Sequence, residues 1–153
     1  MEAYRSMLHP ELIFLDMQAD RTGELFTQIG AKLQKLGYVK TDYSKALTQR
    51  EADFPTGLVT KYLPVALPHT DPEYVEKPFI CLAKNEKPLA LLQMGTNEPM
   101  QAQYFFFLGI TVPKDQVVLL QKFMQLLQDE NFVKGLTHIT EPAEMFAFIK
   151  QEF

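Results

Sequence analysis

The chain has 153 residues, 46% of them hydrophobic and 22% charged, with a formal net charge of −4. That length suits one domain with a sizeable core, and the mild acidic balance argues against a nucleic-acid binder, which needs a basic face. The single cysteine, Cys81, excludes an intrachain disulfide framework and fits a reducing compartment. No apolar run reaches the roughly 18 residues of a membrane span. The N-terminal residues Met1-Glu2-Ala3-Tyr4-Arg5-Ser6 lack the apolar centre of an export signal. A cytoplasmic protein without direct membrane insertion is expected.

In chain order, residues 12–17 form a short apolar run and are predicted to be a strand. Leu25, Phe26, Ile29, Leu33 and Leu36 then recur at helical spacing, with Asp20 as the expected N-cap and Gly37 as the stop. A second helix is predicted over residues 42–52. Its apolar stripe of Tyr43, Ala46 and Leu47 also carries Arg50. A guanidinium on an inward stripe must find a partner or line a cleft, because a buried unpaired charge is costly. The nearby carboxylates Glu51 and Asp53 are the expected partners. Residues 54–58, Phe-Pro-Thr-Gly-Leu, carry turn chemistry, and residues 65–67, between Pro64 and Pro68, read as a brief strand at a sheet edge or strand end.

Residues 78–83 and 87–94 are predicted to be two strands joined by a hairpin turn at Asn85-Glu86. Residues 103–112, with Tyr104, Phe105, Phe106, Phe107, Leu108 and Ile110 nearly continuous, predict a central strand buried on both faces. Pro113 opens a helix bearing Val117, Leu119, Leu120, Phe123, Leu126 and Leu127. Asn131 is the expected cap of a short turn, and Thr140-Glu141-Pro142 the start of a last helix packed through Phe146 and Ile149. This order predicts an α/β fold: a three-layer α/β/α sandwich with a mixed sheet.

Among three histidines, His69 stands apart. It lies in Val65-Ala66-Leu67-Pro68-His69-Thr70-Asp71-Pro72, where a strand passes into a loop, a usual place for functional groups in α/β proteins. Asp71-Pro72 has the order of a helix start, and helix N–H groups beside His69 would suit an anion. Neutral imidazole is a good nucleophile near pH 7, and guanidinium with backbone donors would steady a phosphoryl group. A loop histidine with a local hydrogen bond is the plain alternative. His9 and His138 have no partner at metal-ligand spacing and Cys81 has no cysteine neighbour, so no metal site is expected. No glycine-rich phosphate loop and no Gly-x-Ser-x-Gly elbow is present, and no cofactor is expected.

Arg50-Glu51, then Phe54-Pro55-Thr56-Gly57-Leu58, then Ala66-Leu67-Pro68-His69-Thr70-Asp71 resemble the enzyme IIA domain of the fructose–mannitol class of the bacterial phosphotransferase system, and most closely its galactitol-type branch. The likeness covers nearly the whole chain and implies a single enzyme IIA domain over residues 1–153, with the mannitol-type enzyme IIA fold. It implies that His69 would accept a phosphoryl group on Nε2 from the phosphohistidine of HPr and pass it to a cysteine of a cognate enzyme IIB. The membrane enzyme IIC would be an indirect partner, and the cargo galactitol or a related polyol. Arg50 would steady the phosphate, with Thr56, Gly57, Thr70 and Gln116 lining it. Gln116 stands where mannitol- and nitrogen-type members carry a second histidine. It donates a hydrogen bond but holds no charge, which favours the galactitol-type branch. A nitrogen-type regulatory module, phosphorylated at the same histidine and signalling by docking, is the alternative.

Overall fold

The aromatic run at residues 104–108 organises the molecule. The structure, a computed structural model, describes residues 2–153. Along β5 (Pro99–Gly109) successive side chains point to opposite faces. Tyr104, Phe106 and Leu108 enter one core cluster, while Phe105 and Phe107 enter a second. β5 is the middle of five strands, and both its faces are covered. The others are β1 (Leu8–Met17), β2 (Gly57–Val59), β3 (Pro64–Ala66) and β4 (Phe79–Leu92). Their order is β1-β4-β5-β3-β2. β1 runs parallel to β4 and β3 parallel to β5, whereas β4/β5 and β2/β3 are antiparallel, so the sheet is mixed as expected.

The helices form two outer layers. After the short α1 (Glu2–Arg5), α2 (Thr22–Lys35) and α3 (Tyr43–Asp53) cover one face. They contribute Leu25, Phe26, Ile29, Leu33, Tyr43 and Leu47 to its core. α4 (Lys114–Leu127), α5 (Glu130–His138) and α6 (Pro142–Glu152) cover the other, burying Leu119, Phe123, Phe132, Leu136, Met145 and Ile149. This is the three-layer α/β/α sandwich that the element order implies. The sheet edges are protected by sequence: β1 carries Pro10, which cannot donate to an incoming strand, and β2 is only three residues long.

Several local expectations are corrected. Asn85-Glu86 is no hairpin turn. β4 runs on through it with an irregularity between Lys84 and Leu89. The Asn85 side chain is fully buried: Oδ1 accepts from Ala19 N–H at 2.8 Å, and Nδ2 donates to the carbonyls of Ala19 at 3.0 Å and Lys87 at 2.9 Å. A polar pair in a strand thus serves as a tie to the end of β1, not as a chain reversal. The reversal falls at residues 93–98, where Gly95 and Asn97 have positive φ. Of the two places expected for residues 65–67, the strand end holds, since Pro64 opens β3; the edge is taken by β2, because Gly57 and Leu58 leave the predicted turn and pair with Ala66 and Val65. The caps also shift by a residue or two. Arg21 is the N-cap of α2, and Asp20 instead meets Lys87 at 2.7 Å. Asp129 rather than Asn131 caps α5, accepting from the N–H groups of Asn131 and Phe132. Glu141 rather than Thr140 precedes α6.

Two buried polar side chains give opposite expectations. Asn85→Ala strands the Ala19 N–H and carbonyl in the interior and is expected to lower the unfolding free energy by about 2 kcal/mol or more. The Tyr43 hydroxyl is buried with no hydrogen-bond partner among the described residues. Tyr43→Phe is therefore expected to leave stability unchanged or raise it. Urea melts of the two variants measure both outcomes.

Candidate functional site

His69 is held at the end of the sheet by backbone pairing. β3 ends at Ala66 and the chain continues through Leu67 and Pro68. The Leu108 N–H donates to the Pro68 carbonyl at 2.9 Å, and His69 bridges Leu108 in parallel register. His69 therefore sits where β3 and β5 finish and β4 begins. The ring is almost entirely buried, at 4% exposure. Its Nδ1 lies 2.8 Å from the Leu67 carbonyl. A carbonyl only accepts, so Nδ1 carries the proton, and in the neutral ring Nε2 holds the free lone pair. Nε2 makes no hydrogen bond with the described residues and is not sealed from solvent. Burial lowers the His69 pKa below its ordinary value and the charge of Arg50 lowers it further; the Leu67 bond and Asp71 partly oppose this. The ring is neutral at pH 7, with one nucleophilic nitrogen.

Arg50, in the last turn of α3, reaches across to the same loop. Its Nη1 donates to Asp71 Oδ1 at 3.0 Å and its guanidinium carbon lies 5.4 Å from the centre of the Phe54 ring. Its Nε is buried with no partner among the described residues. The sequence expectation of an ion pair with Glu51 or Asp53 is corrected. Neighbours one apart on a helix do not face each other, and Asp53 is engaged by Gln49 Nε2 at 3.2 Å. The carboxylate that meets Arg50 comes from the loop after His69.

The other expected site residues sit at the start of β2, on the loop after His69 and on α4. Thr70 is buried, its hydroxyl donating to the Asp71 carbonyl at 3.0 Å. Thr56 is buried beneath the end of α3, and its carbonyl accepts the Leu67 N–H at 3.3 Å. Gly57 pairs with Ala66 and packs so closely on Met100 and the Leu92 carbonyl that a Cβ has no room. Gln116 is half-buried in the first turn of α4, the helix that follows β5. The helix expected after Asp71 is a single 3-10 turn, Pro72–Tyr74, and Asp71 does not cap it with its side chain. Pro72 has no N–H, and the Tyr74 and Val75 N–H groups go to the Asp71 and Pro72 carbonyls. The turn therefore offers an anion less than a full helix terminus would, and the positive charge beside His69 comes from Arg50.

Glu51, expected from the sequence as a partner of Arg50, is engaged elsewhere. Its carboxylate takes the Thr56 N–H at 2.9 Å and the Thr56 hydroxyl at 2.8 Å. Burial raises its pKa, while these two bonds and Arg50 pull it back. The sequence signal was a glutamate in the last helical turn, five residues before a threonine.

Fold and site together define an α/β/α domain presenting one buried, neutral histidine beside an arginine. Residues 6–152 match the model of the family described as "Phosphoenolpyruvate-dependent sugar phosphotransferase system, EIIA 2", and the chain belongs to that family. Phosphotransfer within that system is the family's activity. The galactitol-specific EIIA component of Escherichia coli (strain K12) is 26% identical over 118 residues, which are 77% of this chain and 79% of that protein. Nitrogen regulatory protein IIA-Ntr from Neisseria meningitidis has the same fold, with a TM-score of 0.76 at 20% identity over 96% of this chain and 99% of its own. So does Escherichia coli enzyme IIAMtl, solved in complex with phosphorylated enzyme IIBMtl, with a TM-score of 0.73 at 21% identity over 92% and 95%. Among the described residues no helix is long and apolar enough to cross a membrane.

The two charges flanking His69 act in opposite senses. Proton NMR titration of the ring is expected to give a midpoint below the ordinary value of 6.5. Arg50→Gln raises that midpoint and Asp71→Asn lowers it. Because the folded pKa is depressed, the unfolded chain binds the proton more readily. His69 therefore costs stability as pH falls through the unfolded value, and that cost is absent above it.

Proposed function

We propose that residues 1–153 act as one enzyme IIA domain on the cytoplasmic side, relaying a phosphoryl group through His69. The donor is the phosphohistidine of HPr, the acceptor is a cysteine of a cognate enzyme IIB, and the transport served is uptake of galactitol or a related polyol through a membrane enzyme IIC. The observation that carries this reading is the hydrogen bond from His69 Nδ1 to the Leu67 carbonyl, which fixes the tautomer and leaves Nε2 as the nucleophile. The galactitol relative supports the choice of branch.

In the first step the Nε2 lone pair forms a bond to phosphorus as the P–N bond of the donor breaks. The donor's imidazole leaves with the electron pair, and no proton need move. Nδ1 keeps its proton and its bond to Leu67 throughout. In the second step the thiolate of enzyme IIB attacks phosphorus and Nε2 takes back its lone pair. Arg50 supports the transferring group with charge and with a buried Nε–H that lacks an acceptor in the resting protein. The resemblance would also set Thr56, Gly57, Thr70 and Gln116 about the phosphate; the Thr56 and Thr70 hydroxyls already donate to Glu51 and to the Asp71 carbonyl, which leaves the Gln116 amide as the side-chain donor to add.

Incubation with phosphoenolpyruvate, enzyme I and HPr, followed by mass spectrometry, is expected to place one acid-labile phosphate on His69. His69→Ala abolishes it, and unchanged labelling of that variant defeats the proposal. Arg50→Ala is expected to stay folded and to slow transfer by on the order of 10–100-fold. Delivery of the phosphate to an enzyme IIB cysteine separates this relay from a regulatory module that only docks.

A further inference from the structure

We infer that Glu51 is a positioning residue for His69, acting through Thr56 and Leu67 to fix which imidazole nitrogen carries the proton. The inference rests on the proposed phosphoryl relay for its consequence and on geometry for its substance. The Glu51 carboxylate grips Thr56 twice, at the backbone N–H and at the hydroxyl. This holds the first residue beyond α3 and Phe54-Pro55 in place against the hairpin of β2 and β3. The Thr56 carbonyl then receives the Leu67 N–H at 3.3 Å, beyond the last paired residues of that hairpin, Gly57 and Ala66. Leu67 in turn presents its carbonyl to His69 Nδ1 at 2.8 Å. Each link sets the orientation of the next. If Thr56 is released, Leu67 loses its backbone anchor and the acceptor that selects the Nδ1–H tautomer moves. The ring then samples the other tautomer, whose outward nitrogen carries a proton and no lone pair, so it cannot attack phosphorus. Glu51 itself never touches the phosphate. It is also the part of the arginine–glutamate pair that the relay leaves without a task.

The test uses the full chain and three variants. Glu51→Ala removes both bonds, Thr56→Val removes the side-chain bond while keeping shape, and Glu51→Gln retains an acceptor for the Thr56 N–H and a polar contact for its hydroxyl. Nitrogen-15 shifts of the His69 ring at neutral pH report the tautomer without any phosphoryl transfer. Labelling with phosphoenolpyruvate, enzyme I and HPr reports the rate. Glu51→Ala is expected to give a tautomer mixture and a rate lowered by roughly tenfold or more. Thr56→Val falls between it and the native chain, and Glu51→Gln largely restores both readouts. The inference is overturned if the folded Ala or Val variant keeps a single Nδ1–H tautomer and shows only a lower melting temperature. Should Glu51→Ala not fold, Thr56→Val decides. Should the native chain accept no phosphate, the relay fails while the ring shifts still decide the role of Glu51.

Discussion

The last turn of α3 is the constraint on which the site depends. Arg50 and Glu51 are consecutive, so a helix points them about 100° apart. One reaches the chain after His69, at Asp71; the other reaches the chain before it, through Thr56. The loop carrying the histidine is thus gripped on both flanks from a single helical turn. That turn is itself fixed by Tyr43 and Leu47, which are fully buried against the sheet; the Tyr43 ring meets Phe79 edge-on at 6.3 Å. A core of apolar contacts sets the height of α3, and α3 sets the geometry of a polar site that has little apolar support of its own.

Burial and hydrogen bonding act together on His69. Removal from water keeps the ring uncharged, and the Leu67 carbonyl decides where its one proton resides. Neither alone suffices for a nucleophile. A protonated ring has no lone pair, and a neutral ring of the wrong tautomer turns its lone pair inward. Arg50 is close enough to disfavour a second positive charge on the ring, and in the proposed relay the same guanidinium would attract the incoming phosphoryl group.

Much of the fold was legible because it follows from periodicity. The aromatic run of β5 announced a strand buried on both faces, and the stripes of α2, α4 and α6 announced their helices. What was not legible lay where polar side chains have tertiary work. Asn85 looks like a turn residue until the chain end it ties, at Ala19, is known. Gly57 looks like a turn glycine until Met100 and Leu92 close over it. The site divides in the same way. His69 and Arg50 were visible from their positions on a strand end and a helix stripe. The partner of Arg50 was not, because Asp71 is 21 residues away and only the folded loop brings it near. The task of Glu51 was hidden for the same reason, since its effect on His69 passes through two backbone carbonyls that carry no sequence signature.

Cys81 lies fully buried in β4, between β1 and β5, and burial pushes its thiol pKa far up. A thiolate-seeking reagent therefore has no target while the sheet is closed. The sulfur becomes reactive only when the central strands separate, which is the opening of the whole domain and not the fraying of one end. The single sulfhydryl of this chain is in effect a built-in clock for global opening: alkylation kinetics at rising denaturant count how often all three layers come apart.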